Sequence, residues 1–305
     1  MLKGARLACG FPVLMGSLFC AAAFLDHLDG RADKLAGLFC YARRTLPPGF
    51  TVRKRPMKII LLAAALPTVM AGLAGAARAA DSSDAILSAN AALVSDYRYR
   101  GISQTRLQPA VQLGADYAAA SGWYAGAWAS SITWTRDAGG SGSIEVDLYG
   151  GKRGELGGGV SYDAGLLGYV YPSNGLSRVS GFDNANTAEA YAQLGYGVAS
   201  LKYSHSLTNL FGIPDSHGSG YLDLNLNLAA GEKTTINLHA GRQRVRHVSA
   251  SSYTDWKAAV VHDFGIASVT LAAVGTNAGR SAYASPADGR FLGKRAVVLS
   301  IGRTF

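Results

Sequence analysis

The sequence predicts an all-β protein: a transmembrane up-and-down antiparallel β-barrel of about twelve strands, behind an N-terminal signal peptide. Three observations predict it. After residue 80, apolar and polar residues alternate with a period of two along many short segments. Twelve such segments follow one another, joined by short connections after even segments and mostly longer ones after odd segments. A secretory signal with an A-x-A site precedes them.

The signal occupies residues 57–79. Lys58 supplies the positive start, Ile59 to Ala76 form an apolar core interrupted by Pro67, and Ala77-Arg78-Ala79 is the cleavage site. An uncleaved anchor helix is the alternative, and Pro67 and the alanine-rich composition weigh against it. Residues 1–56 hold a second apolar run, Leu7 to Leu25, and the basic patches Arg43-Arg44 and Arg53-Lys54-Arg55. They read as an over-extended start ahead of a native Met57, the rival being a membrane-anchored leader. Residues 80–305 form the barrel.

Composition changes meaning once the chain is divided. Its 3 Cys and 4 Met all lie before residue 80. So do 11 of its 29 Lys and Arg but only 3 of its 20 acidic residues, which leaves 18 against 17 in residues 80–305. The +9 charge of the whole chain is therefore a property of the leader and gives no reason to expect nucleic acid as a partner. A cysteine-free segment has no disulfide framework and no thiolate metal site. It also lacks an apolar run of the roughly 18 residues a spanning helix needs. In lipid, only helices and closed barrels satisfy every backbone group, so if this segment crosses a membrane it closes on itself.

The predicted strands cover about 88–100, 107–118, 122–134, 143–151, 158–171, 187–196, 198–207, 220–230, 234–246, 253–264, 266–276 and 294–305. The clearest is Tyr221 to Leu228, where Leu222, Leu224, Leu226 and Leu228 share one face and Tyr221, Asp223, Asn225 and Asn227 the other. Short connections include Ala120-Ser121-Gly122, a glycine-rich turn around Lys152 to Gly157, and Phe264-Gly265; long ones include Pro172 to Asn186 and Asn277 to Gly293. Bacterial barrels combine an even strand number with short periplasmic turns and longer outer loops. At the C-terminus Val297, Leu299, Ile301 and Phe305 share the lipid face. Arg303 joins them near the periplasmic interface, where it can snorkel. The terminal Phe305 resembles the signal by which outer-membrane proteins meet the barrel-assembly machinery, which makes that machinery an expected partner.

Six motifs, in order, carry a family resemblance: Ser95-Asp96-Tyr97-Arg98-Tyr99-Arg100-Gly101-Ile102-Ser103-Gln104, Gly122-Trp123-Tyr124-Ala125-Gly126, Glu145-Val146-Asp147-Leu148-Tyr149, Gly220-Tyr221-Leu222-Asp223-Leu224-Asn225, Tyr253-Thr254-Asp255-Trp256-Lys257 and Arg303-Thr304-Phe305. Across 86–305 the chain resembles the TorF family of porin-like proteins, a proteobacterial family of unknown function. The resemblance implies an outer-membrane barrel and brings no substrate or site residues with it.

Parity assigns the faces. Because Arg or Lys facing lipid at mid-depth costs about 2–4 kcal/mol, the charged face must be the inner one. That turns Asp96, Arg98, Arg100, Glu145, Asp147, Glu189, Lys202, Asp223, Asn225, Asn227, His239, Asp255 and Lys257 toward the lumen, together with Asp116, Asp163 and Asp263 among others. Nine of the inward residues are acidic and four are Lys or Arg, so the expected lumen is wet, mildly acidic and suited to small polar or cationic solutes. The alternative is a salt-bridge lattice that holds the barrel shut. Arg242, Arg244 and Arg246 continue the outward parity of Ile236, Leu238 and Ala240, and Arg295 falls similarly on the last strand. These four are expected to contact outer-membrane lipid, chiefly lipopolysaccharide phosphates, which suit the guanidinium fork. Tyr97, Tyr99, Tyr117, Trp123, Trp134, Tyr169, Tyr171, Phe264 and Phe305 sit near predicted strand ends, as interfacial girdles do.

No enzyme and no cofactor are expected. His217-x-Ser219 and His247-x-Ser249 lie in Ser/Gly-rich loops, without the asparagine of the Ser/His outer-membrane phospholipases. No His pair has metal-ligand spacing. Gly150 to Gly159 lacks the pattern of a phosphate-binding loop. The expected function is passive diffusion of small polar solutes. A closed structural or adhesive barrel is the second reading, and a lipid hydrolase the third.

Overall fold

A computed structural model describes residues 85–305; the expected leader and signal peptide lie outside the described residues. In chain order the strands are β1 (Ala85–Val94), β2 (Arg98–Tyr99), β3 (Ile102–Ser103), β4 (Ala110–Ala119), β5 (Trp123–Ser131), β6 (Ile144–Gly157), β7 (Val160–Val170), β8 (Thr187–Tyr196), β9 (Ala199–Ser206), β10 (Gly220–Ala229), β11 (Thr234–Arg244), β12 (Tyr253–Asp263), β13 (Ser268–Thr276) and β14 (Ala296–Thr304). Twelve of them form a closed barrel in which each pairs with its sequence neighbours, β1 pairing with both β4 and β14. All the pairings are antiparallel. Only β2 and β3 stand apart, as a separate two-stranded hairpin.

Closure leaves the sheet without an edge. Both ends of the described chain lie at the short-turn end, with residues 120–122, 158–159, 197–198, 230–233 and 264–267. The other end carries long connections, including residues 95–109, 171–186, 207–219 and 277–295. Two turns span only two residues, 158–159 and 197–198; at Gly158-Gly159 φ is +63° and +78°. Two positive values suit a two-residue hairpin whose turn matches the twist of its strands. No helix among the described residues is long and apolar enough to cross a membrane.

The expected alternation is present, turned outward. Leu222 and Leu224 are each 45% exposed, and Leu113, Leu148, Leu166, Leu201, Leu271, Leu299 and Ile301 are exposed with them on the outside of the wall. A soluble sandwich would pack such a row against a second sheet; here it is the outer surface of a cylinder. The buried apolar cluster lies inside the barrel, toward the long-loop end, and includes Tyr97, Ile132, Tyr169, Tyr171, Leu176 and Val274. Glycines on the inner face let tyrosine rings lie flat across neighbouring strands. A Cβ on Gly126 would meet the Tyr149 ring, one on Gly165 that of Tyr191, and one on Gly241 that of Tyr221.

Three expectations need correction. The first strand ends at Val94 rather than near residue 100, because the chain turns inward at Ser95. Residues 152–157 are strand rather than turn, since β6 runs on to Gly157 before reversing. Of the supposed girdle aromatics, Tyr117, Trp123, Phe264 and Phe305 are exposed, but Tyr97, Tyr169 and Tyr171 are buried inside, with Tyr99 and Trp134 packed on them. Their rings serve an internal core rather than an interface.

Candidate functional site

The site is the lumen, and loop 1 (residues 95–109) organises it. The segment Ser95 to Gln104 leaves β1 and forms the β2–β3 hairpin, with Arg100 and Gly101 as its two turn residues at φ +47° and +78°. A left-handed non-glycine residue costs about 1–2 kcal/mol. The contacts of the Arg100 guanidinium offset it. Its Nη2 donates to Glu189 Oε2 on β8 at 2.7 Å and its Nη1 to Gln243 Oε1 on β11 at 2.7 Å. Its Cζ lies 4.2 Å from the Tyr221 ring centre and 4.8 Å from that of Tyr99. Strand β8 stands nearly opposite β1 in the ring, so the hairpin reaches across the lumen. Gly101 makes this passage possible: a Cβ there would lie 2.5 Å from Thr276 Cγ2 and 2.9 Å from Asp255 Cβ.

The loop's own residues hold its shape. Asp96 accepts from Ser103 Oγ at 2.5 Å and from Arg98 Nε at 2.6 Å. Arg98 Nη1 donates to the carbonyls of Leu292 at 2.8 Å and Gly101 at 3.0 Å. Tyr99 Oη is 2.5 Å from Tyr169 Oη, which donates to Glu189 at 3.1 Å. Tyr97 donates to Glu145 at 3.3 Å. Burial pushes the Tyr97 and Tyr99 hydroxyls well above their ordinary values, so both stay protonated.

Loop 1 divides the lumen. On its inner side lies a cavity of about 330 Å³, lined by Arg98, Arg100, Lys202, Tyr221, Asp223, His239, Asp255 and Lys257, among others. Register brings the charged residues together across β9 to β12, since Asp223 faces Lys202 and Gly241, and His239 faces Asn225 and Lys257. His239 bridges two carboxylates, 2.9 Å from Asp223 and 2.7 Å from Asp255. Asp255 also accepts from Tyr221 at 2.9 Å, and Asp223 from Asn225 at 2.6 Å. Lys202 lies 3.9 Å over the Tyr191 ring, and neither it nor Lys257 forms an ion pair among the described residues. On the outer side lies a second chamber of about 210 Å³, lined largely by rings, including Tyr99, Trp134, Tyr171, Phe182, Phe211 and Tyr283.

The strand residues expected inside all face inward. Asp96, Arg98 and Arg100 are inside for a different reason: they belong to the inserted loop, not to a strand of the wall. Glu145, Glu189 and Asp255 are 1%, 2% and 1% exposed, covered beneath the loop rather than lining open water. Glu145 Oε2 and Asp147 Oδ1 are buried without a partner. Asn227 accepts from Asn237 across the strands at 2.6 Å. Gln243, a main anchor of Arg100, lies between Arg242 and Arg244, whose outward parity places it inside. Arg242, Arg244, Arg246 and Arg295 are exposed, the first two on β11 and the last two in the connections beside β11 and β14. The possible serine nucleophile Ser219 is 1% exposed and donates to the Ser216 carbonyl at 2.6 Å, with no His ring bonded to it among the described residues. No His/Cys/Asp/Glu cluster suited to a metal ion occurs among the described residues.

A family model described as "Bacterial protein of unknown function (Gcw_chp)" matches residues 78–305. The chain belongs to this family. In this Gcw_chp protein the matched segment takes in the whole barrel together with loop 1. No curated protein matches the chain. Among solved structures, the Gcw_chp chain is similar to the KdgM porin, with 9% identity over 72% of this chain and 98% of that one and a TM-score of 0.45. It is also similar to the NanC porin, with 10% identity over 72% and 98% and a TM-score of 0.47. LpxR from Salmonella typhimurium is similar at 9% identity over 72% and 99%, with a TM-score of 0.37.

Proposed function

We propose that the chain is a porin-like channel of a Gram-negative outer membrane, through which small polar solutes diffuse passively past a constriction made by loop 1. The observation that carries this reading is the sidedness of the wall. Apolar side chains cover its outside, while Asp, Asn, Lys and His side chains line a cavity within. Such a wall satisfies hydrocarbon on one side and water on the other. The TorF resemblance of the loop 1 motif points the same way. In a planar bilayer the purified protein is expected to give discrete current steps. Loop 1 also favours a second reading, a barrel closed to solutes, and a protein that never conducts while its loop-deleted form does would establish that one instead.

The four outer arginines are proposed to hold lipopolysaccharide. Arg242, Arg244 and Arg246 are all exposed, and of their guanidiniums only that of Arg242 is hydrogen-bonded among the described residues, to Thr254 Oγ1 at 3.1 Å. Replacing all four by Gln is expected to reduce the lipopolysaccharide that co-purifies with the barrel. Unchanged lipid-to-protein stoichiometry would remove the assignment.

A further inference from the structure

We propose that the two chambers flanking loop 1 form a binding site for small carboxylates with an apolar, ring-bearing body. This deepens the channel reading and rests on it for how the solute arrives.

The inner chamber supplies the charge. Every carboxylate that lines it is already bonded within the protein. Asp223 is bonded to His239 and Asn225, and Asp255 to His239 and Tyr221. Lys202 and Lys257 line the same chamber from β9 and β12, and neither forms an ion pair among the described residues. Counting acids over the whole inner face predicts a preference for cations; the bonding pattern reverses that sign in this chamber. Ammonium groups with unused donors in a partly desolvated cavity favour an anionic acceptor. Asp116 and Asp163 accept the hydroxyls of Tyr149 and Tyr124 nearer the short-turn end, so the carboxylate is held above them.

The outer chamber supplies the apolar half. Several of its polar side chains are engaged inside the protein: Gln243 with Arg100 and the Gly220 carbonyl, Gln104 with the Ile102 carbonyl, and Asp137 with Arg106 and Thr133; Trp134 Nε1 has no partner but is itself buried. What it leaves for a solute is ring surface, which rewards apolar area removed from water and ring-on-ring packing. Tyr99 and Arg100 line both chambers. A carboxylate set against Arg100 and the lysines therefore leaves its body within reach of the rings.

Titration calorimetry on the detergent-solubilised protein tests this with four probes: benzoate, acetate, benzyl alcohol and benzylammonium. Benzoate is expected to bind roughly tenfold or more tightly than acetate or benzylammonium, the scale of one lost charge-assisted bond or one unburied ring. The K202Q/K257Q double variant is expected to lose that advantage while its affinity for benzyl alcohol is unchanged. Heat-modifiable gel migration confirms that the variant is folded, and K257Q alone serves if the double variant is not. Benzylammonium binding as tightly as benzoate overturns the charge assignment. Acetate binding as tightly overturns the apolar one, and no benzoate binding overturns both. A barrel that conducts but does not bind benzoate refutes this inference alone; one that binds benzoate but never conducts refutes the channel reading alone.

Discussion

Replacing Arg100 by alanine is expected to raise single-channel conductance severalfold. The guanidinium ties the hairpin tip to the far wall through Glu189 and Gln243, and it also fills the space between the Tyr99 and Tyr221 rings. Its removal leaves Glu189 buried without its counter-charge, a change that costs about 3–5 kcal/mol when one partner of a buried pair is lost. It also removes the contacts that hold residue 100 at a positive φ. Both effects act on the docked position of the loop and not on the wall, whose strands stay paired. The loop then samples positions away from the lumen axis and the constriction widens. Replacing residues 97–104 by a Gly-Ser linker removes the remaining anchors at Glu145 and Tyr169 as well, and is expected to give the larger increase. Conductance equal to wild type in both variants would show that loop 1 does not limit passage.

The second large effect is on stability. Leu224→Arg is expected to destabilise the barrel in lipid vesicles by about 2–4 kcal/mol, the cost of a basic side chain facing hydrocarbon at mid-depth. Leu224 sits near the middle of β10, faces outward and is flanked by the outward residues Leu201 and Ala240. The same substitution one position along, Asn225→Arg, enters the lumen and is expected to change stability far less. Urea titration read by heat-modifiable gel migration gives both values. On a water-exposed surface Leu224→Arg would shift stability by only about 0.5 kcal/mol or less, so a silent Leu224→Arg would remove the membrane from the account of this protein.

The most specific sequence motif, Ser95 to Gln104, turns out to be the segment that occupies the lumen. Its internal bonds explain its residue types: Asp96, Arg98 and Ser103 tie the loop together, and Arg100-Gly101 makes the tight turn. The motif was visible, but not its destination. Tyr-Arg-Tyr-Arg alternates as a strand does, and no local pattern separates a strand that continues in the wall from a hairpin that leaves it. Glu189, Gln243 and Leu292, the residues that capture it, lie 89, 143 and 194 positions away.

By itself the sequence determined the strand number, the alternation of long and short connections and the face each wall residue occupies. Those follow from the two-residue period of an extended chain, in which every side chain points opposite to its neighbours. Only the tertiary structure decided that Tyr97, Tyr99, Tyr169 and Tyr171 form a core inside the barrel and which lumen charges remain free. Parity reports which side a residue faces. It carries no information on what stands across the lumen, because that is set by closure of the ring, which brings β8 and β11 to a loop that begins at Ser95.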